Sequence, residues 1–175
     1  TLADILTENG YATGLFGKWH LGDCYPYRPQ DRGFTHSVYH PAGGVGQAPD
    51  YWGNDYFDDT YVNNGKWKKY KGYCTDVFFE ESMSFMKQAA RQGKPFLSII
   101  MPNTPHGPLV AKDKDEAAIK KILDQPEFDD IDPEMKVRLA DYLGMILNID
   151  ENMGAMMKFL ADEGIKDDTI VIFQT

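Results

Sequence analysis

Apolar positions along this chain switch between a helical and a strand period, and the switches mark out its elements. Leu2, Ile5 and Leu6 share one face of a helix over residues 2–9, with Gly10 suited to the position just past its end. Tyr11–Phe16 then reads as a strand closed by Gly17. Residues 20–75 read as irregular, rich in Gly, Pro, Asp, Asn and aromatic residues. Within them, Asp59–Val62 and Lys66–Tyr70 flank Asn63-Asn64-Gly65, a hairpin signal. Thr75 or Asp76 is expected to cap a helix running to Gln92, with Gly93 as its stop. Pro95 leads into a strand over Phe96–Met101, and Pro102–Pro108 must be a loop. A short helix over Asp115–Leu123 follows. The longest element is a helix over Pro133–Glu163, with Asp132 as N-cap, Pro133 in its first turn and Gly164 as its stop. Its Tyr142, Ile146, Ile149, Met153, Met156 and Leu160 are spaced by fours and threes, a single apolar stripe whose methionines are read as core. Thr169–Phe173 reads as a last short strand.

Helices alternating with short apolar strands predict an α/β fold, a mostly parallel sheet flanked by helices. In such sheets sites form beyond the carboxyl ends of the strands. Two of these ends carry chemistry: Gly17-Lys18-Trp19-His20 and Thr104-Pro105-His106-Gly107-Pro108. No internal repeat or domain boundary is apparent. The chain opens at Thr1 inside a helical pattern and closes on an apolar run. Residues 1–175 are therefore expected to form the middle part of a single catalytic domain, incomplete at both ends.

Composition narrows the function classes. The 175 residues are 42% hydrophobic and 26% charged, enough for a packed core, and the net charge is −9. That charge argues against general nucleic-acid affinity, and no apolar run reaches the length of a membrane span. No signal-peptide pattern is present. Two cysteines, Cys24 and Cys74, are too few for a disulfide framework; they either pair, ligate or stand as free thiols.

Lys18 and His20 lie two apart, so in extended backbone they point the same way. They form either a small cationic pocket for a tetrahedral anion or a surface lysine beside a backbone-bonded histidine. His106, held between Pro105 and Pro108, is either a rigidly mounted general acid or an exposed turn residue. His36 and His40 either line a substrate pocket or face solvent, and the second is the expected role. Asp58-Asp59 and Asp129-Asp130 lack the alternation of a calcium loop and read as acidic surface or caps. The basic run Lys66–Lys71 reads as a solvated hairpin face.

These residues arrive in a familiar order. Gly10-Tyr11-Ala12-Thr13-Gly14-Leu15-Phe16-Gly17-Lys18-Trp19-His20-Leu21-Gly22 closely resembles a segment of the type I, formylglycine-dependent sulfatases of the alkaline phosphatase superfamily. Lys94-Pro95-Phe96 leading to Pro105-His106-Gly107-Pro108 resembles the family's second histidine segment. Tyr142 through Asp150, Asn152 and Gly154, then Gly164 and Asp168–Phe173, resembles its approach to the last active-site loop. Pro49–Phe57 is similar to a bacterial arylsulfatase-like subgroup.

The resemblance implies an alkaline-phosphatase-like fold and hydrolysis of a sulfate ester, with a formylglycine made from cysteine or serine and a calcium ion. It implies that Lys18 holds the sulfate and the nucleophile, that His20 contacts the formylglycine hydroxyl, and that His106 protonates the leaving alcohol. Lys18 and His106 would also bind substrate. The nucleophile motif and the calcium ligands are expected outside this chain, so that no metal ligand falls within it and the chain is inactive alone. Cys24-Tyr25-Pro26-Tyr27-Arg28 matches the bare Cys-x-Pro-x-Arg pattern but follows Lys18 and His20 and lacks a helix behind it; it is read as coincidental. The implied partner is a sulfated small molecule or carbohydrate, and the implied compartment is the periplasm or the cell exterior. Self-association through open sheet edges is also expected. Two alternatives stand beside this reading: a phosphatase or phosphonate monoester hydrolase of the same superfamily, and a non-catalytic glycan-binding or structural module using the aromatic segment Tyr51–Tyr61.

Overall fold

A computed structural model describes residues 1–174. Helix α1 (Leu2–Glu8) opens with a capping box in which Thr1 and Asp4 satisfy each other's backbone donors. It leads through Gly10 into β1 (Ala12–Trp19), longer than the sequence pattern predicts because Lys18 and Trp19 continue the pairing. β2 (His36–Pro41) lies within the segment read as irregular. β3 (Thr60–Asn63) and β4 (Lys66–Lys69) form the expected hairpin, with Asn64 and Gly65 at φ +47° and +82° in its turn. Helix α2 (Cys74–Arg91), strand β5 (Phe96–Met101), helix α3 (Asp113–Leu123) and helix α4 (Pro133–Asp162) complete the order.

The sheet runs β4-β3-β2-β1-β5. β1 pairs in parallel with both β2 and β5, while β3 and β4 extend the sheet as antiparallel strands. The α/β architecture is the one expected, and its parallel part is confined to three strands. Their carboxyl ends reach one edge together: Lys18 sits opposite His40, and Gly17 opposite Met101. At Gly17 the two backbones nearly touch. A methyl group there would lie 2.0 Å from the Met101 carbonyl oxygen, and φ is +116°. Only glycine meets both demands.

Two apolar cores flank the sheet. Phe16 and Val38 join Phe78, Phe79, Phe85 and Met86 of α2 on one face. Leu15, Trp19 and Tyr39 meet Ala3 and Phe34 on the other. The alternation of Phe16 and Leu15 between these cores is the strand period at work.

Four expectations are corrected. Neither Thr75 nor Asp76 caps α2; Tyr73 holds the cap position without a side-chain bond. Thr75 instead bonds Thr104, and Asp76 accepts from Lys112, Asn148 and Asn152 at 2.5, 2.8 and 2.8 Å. Burial opposes ionisation of Asp76, yet these partners hold its carboxyl below its usual range and tie α2 to α4. The stripe on α4 is only half right. Met156 and Leu160 are buried, but Tyr142 and Ile146 are exposed, because Ala140, Gly144, Met145 and Asn148 form the buried face in the first half. There α4 crosses α3 so closely that a methyl group on Gly144 would lie 3.1 Å from the Glu116 amide nitrogen. Thr169–Phe173 pairs with no strand among the described residues; Ile170 and Ile172 point outward. Asp59 is no surface acid. It is buried and accepts from the Asp55 and Tyr56 amides and the Tyr61 hydroxyl, pinning the turn before β3.

Two glycine substitutions should move stability in opposite directions. Gly17→Ala is expected to lower the unfolding free energy by about 3 kcal/mol or more, from a collision with backbone added to a left-handed φ. Gly154→Ala, in open space on the exposed side of α4, should raise it by roughly 0.5–1 kcal/mol. Urea denaturation of the two variants checks both signs.

Candidate anion-binding site

The site forms where β1, β2 and β5 end. Trp19 is buried on the α1 side and its indole N–H donates to the Gly22 and Tyr27 carbonyls at 3.0 and 2.9 Å. With Trp19 fixed inward, strand alternation directs its neighbours Lys18 and His20 the other way; Lys18 is half-buried and His20 exposed. Lys18 shares its face of the sheet with Phe16 and, on the adjacent strand, His40.

After β2 the chain turns through Gly43-Gly44, and this pair is where the two catalytic candidates converge. A methyl group on Gly43 would lie 3.1 Å from Cε1 of His20, and one on Gly44 3.4 Å from Cε1 of His106. The loops bearing His20 and His106 therefore approach one short stretch of backbone. Larger residues at 43 or 44 would press on these rings.

His106 is held by a relay of buried groups. Tyr56 donates its hydroxyl proton to the His106 carbonyl at 2.9 Å, and Asn103 donates to the Tyr56 oxygen at 2.7 Å. The Asn103 carbonyl oxygen in turn accepts from the Val45 amide at 3.4 Å, next to Gly44. The same relay thus ties the glycine turn to the His106 loop. Nδ1 of His106 donates to the Gly107 carbonyl at 2.6 Å, which leaves Nε2 as the nitrogen available to a ligand.

His40 departs from expectation. It is fully buried, packed on Phe78, and its Nδ1 donates to the Pro41 carbonyl at 3.2 Å while Nε2 has no partner. Burial pushes its pKa down to about 4; the Pro41 contact opposes this, and the nearby charges of Lys18 and His106 add to it. In the parallel pairing Lys18 lies directly opposite His40. His36 is no solvent-facing residue either. It stacks on Phe85 at 5.6 Å near the opposite end of β2, outside the site, and burial lowers its pKa.

Lys18 forms no ion pair among the described residues, whose bridges involve other cations. A half-buried ammonium without a carboxylate partner is suited by its charge to an anion. Sequence reasoning missed Asn103 and Tyr56, and weighed His40 only as the lesser of two readings. Nothing in their spacing distinguishes them, since their roles arise from contacts across the fold.

The cysteines are free, Cys24 exposed and Cys74 buried, and burial raises the Cys74 thiol to about 12. The Cys24 pattern is not followed by the helix expected behind a nucleophile motif. Arg28 is engaged by both oxygens of Asp31, and the chain beyond runs into a single 3-10 turn, Pro29–Arg32. Among the described residues no group of three or more His, Cys, Asp or Glu could hold a metal ion, so the residues present do not fit a calcium centre.

The parallel core of three strands, extended by an antiparallel hairpin and flanked by helices, defines an α/β protein whose candidate residues gather at one sheet edge. The Sulfatase family model matches residues 1–175, and the chain belongs to the sulfatase family. It is 27% identical over 191 residues to the ulvan-active sulfatase of Formosa agariphila, covering 99% of this chain and 34% of that protein. To the arylsulfatase of Klebsiella aerogenes it is 23% identical over 215 residues, covering 100% and 46%. Among solved structures, Ps i-CgsB in complex with k-i-k-neocarrahexaose superposes with a TM-score of 0.74 at 27% identity, covering 94% of this chain and 37% of that one. The chain thus spans a third to a half of the length of these relatives.

The neutral, buried state of His40 has a pH signature. Its folded-state pKa lies below the ordinary 6.5, so the unfolded chain takes up this proton first. Its contribution to stability is complete above pH 6.5 and declines as pH falls towards 4, by on the order of 3 kcal/mol. Denaturation midpoints measured from pH 7 to 4 should therefore fall less steeply in His40→Phe than in the parent. Parallel curves would show that His40 is not held neutral.

Proposed function

We propose that this chain carries part of the sulfate pocket of a sulfuric ester hydrolase of arylsulfatase type. The convergence of His20 and His106 on Gly43-Gly44, at the same sheet edge as the unpaired Lys18, carries this reading. Lys18 supplies the positive charge that holds the sulfate and offsets the negative charge gathering there as the ester bond breaks. His106 donates a proton from Nε2 to the oxygen of the leaving alcohol; its Nδ1 contact and the Tyr56–Asn103 relay fix the ring's mounting. His20, across the glycine turn, bonds the hydroxyl of the attacking nucleophile.

Members of this family typically use a formylglycine nucleophile and calcium, which would supply the attacking oxygen and polarise the sulfate. We place both outside residues 1–175, within the same catalytic domain of a longer protein. The partial coverage of the relatives supports this placement. The isolated chain is accordingly inactive. Its substrate is a sulfated small molecule or carbohydrate, in keeping with the ulvan-active relative and the neocarrahexaose-bound neighbour, and it works in the periplasm or outside the cell.

The leaving group separates the two cationic roles. In the full-length protein, Lys18→Ala should lower kcat/KM on every sulfate ester by about 100-fold or more. His106→Ala should cost a comparable factor on an alkyl sulfate, whose alkoxide needs a proton, and much less on 4-nitrophenyl sulfate, whose phenolate leaves unaided. Equal losses on both esters would remove His106 from the acid role. For the 175-residue chain alone, clear turnover of 4-nitrophenyl sulfate would refute the incompleteness of the site.

A further inference from the structure

The turn that follows Gly43-Gly44 places against both glycines one polar side chain that no step above uses. The Gln47 amide spans both glycines: a methyl on Gly43 would lie 3.0 Å from its Oε1, and a methyl on Gly44 3.0 Å from its Nε2. The acceptor end is therefore on the His20 side and the donor end on the His106 side. Gln47 is exposed, and neither end of its amide is engaged by another group among the described residues.

Its backbone, by contrast, is braced. The Gln47 amide N–H donates to the Gly44 carbonyl at 3.2 Å, and the Gln47 carbonyl accepts from Asp50 at 2.6 Å. Asp50 accepts from the Gly46 amide at 2.9 Å and from Asn54 at 3.1 Å, and Asn54 is bonded in both directions to the Thr60 backbone at the start of β3. A free amide on a fixed turn, set against the same two glycines as His20 and His106, is preorganised for a ligand.

We propose that Gln47 is a specificity-determining residue that reads a hydroxyl group next to the sulfated carbon, and so selects carbohydrate sulfates over simple aryl sulfates. The inference rests on the sulfatase reading and on His106 facing the leaving alcohol. The part of the substrate beside His106 is the sugar, and Nε2 of Gln47 lies on that side. A sugar hydroxyl both accepts and donates, so it can use either end of the amide. An aryl sulfate offers no such group.

Steady-state kinetics of the full-length protein test this with 4-nitrophenyl sulfate set against galactose 4-sulfate, galactose 6-sulfate and glucosamine 6-sulfate. Gln47→Ala should lower the ratio of kcat/KM for the preferred sugar sulfate to that for 4-nitrophenyl sulfate by roughly three- to tenfold, the loss of one hydrogen bond. Gln47→Glu puts a negative charge beside the sulfate and should raise KM for all four esters. An unchanged ratio in Gln47→Ala, or a KM indifferent to Gln47→Glu, would overturn the assignment. So would a parent enzyme that hydrolyses 4-nitrophenyl sulfate but none of the sugars. Failure of the parent on all four would instead bring down the sulfatase reading beneath it.

Discussion

The passage of β1 across the end of β5 at Gly17 is the constraint on which the rest of the site depends. With the Met101 carbonyl 2.0 Å from where a β-carbon would stand, the two strands keep their register only around a glycine. That register aligns the carboxyl ends of β1, β2 and β5 at one edge of the sheet. Trp19, locked inward by its indole bonds, then leaves Lys18 and His20 no other face to occupy. Strand geometry, rather than a dedicated binding loop, aims the first half of the pocket.

The second half is aimed by buried polar groups. Tyr56 and Asn103 are both in the interior, and each would be costly to bury alone. Bonded to each other, to the His106 carbonyl and towards the Val45 amide, they become a brace between two loops far apart in sequence. His40 contributes in a different way. A neutral imidazole opposite Lys18 on the adjacent strand adds no positive charge of its own there, and no carboxylate among the described residues pairs with the lysine. The result is a lysine without a carboxylate partner, among the described residues, in a chain whose net charge is −9.

Elements with strong local chemistry were legible in the sequence. Asn63-Asn64-Gly65 predicts the hairpin because only a few residues accept its positive φ values, and Asp132-Pro133 predicts the start of α4 because its cap is local: Asp132 accepts from the Glu134 and Met135 amides. β2 was not legible. His36, Ser37, His40 and Pro41 disguise a strand buried between two neighbours, where alternation of polar and apolar residues is lost. The misread stripe of α4 has a similar origin. Gly144 and Asn148 belong to its buried face because α3 and Asp76 meet them there, and neither looks apolar in the sequence.

By itself the sequence determined the α/β alternation, the three motifs of the sulfatase family, and Lys18, His20 and His106 as the side chains to watch. These follow from residues adjacent in the chain, whose backbone preferences and spacing act locally. The tertiary structure alone decided that His20 and His106 close on Gly43-Gly44, that His40 is buried rather than wet, and that Gln47 lies against the same two glycines. Those outcomes depend on contacts between segments tens of residues apart, and such contacts exist only once the sheet has set its register.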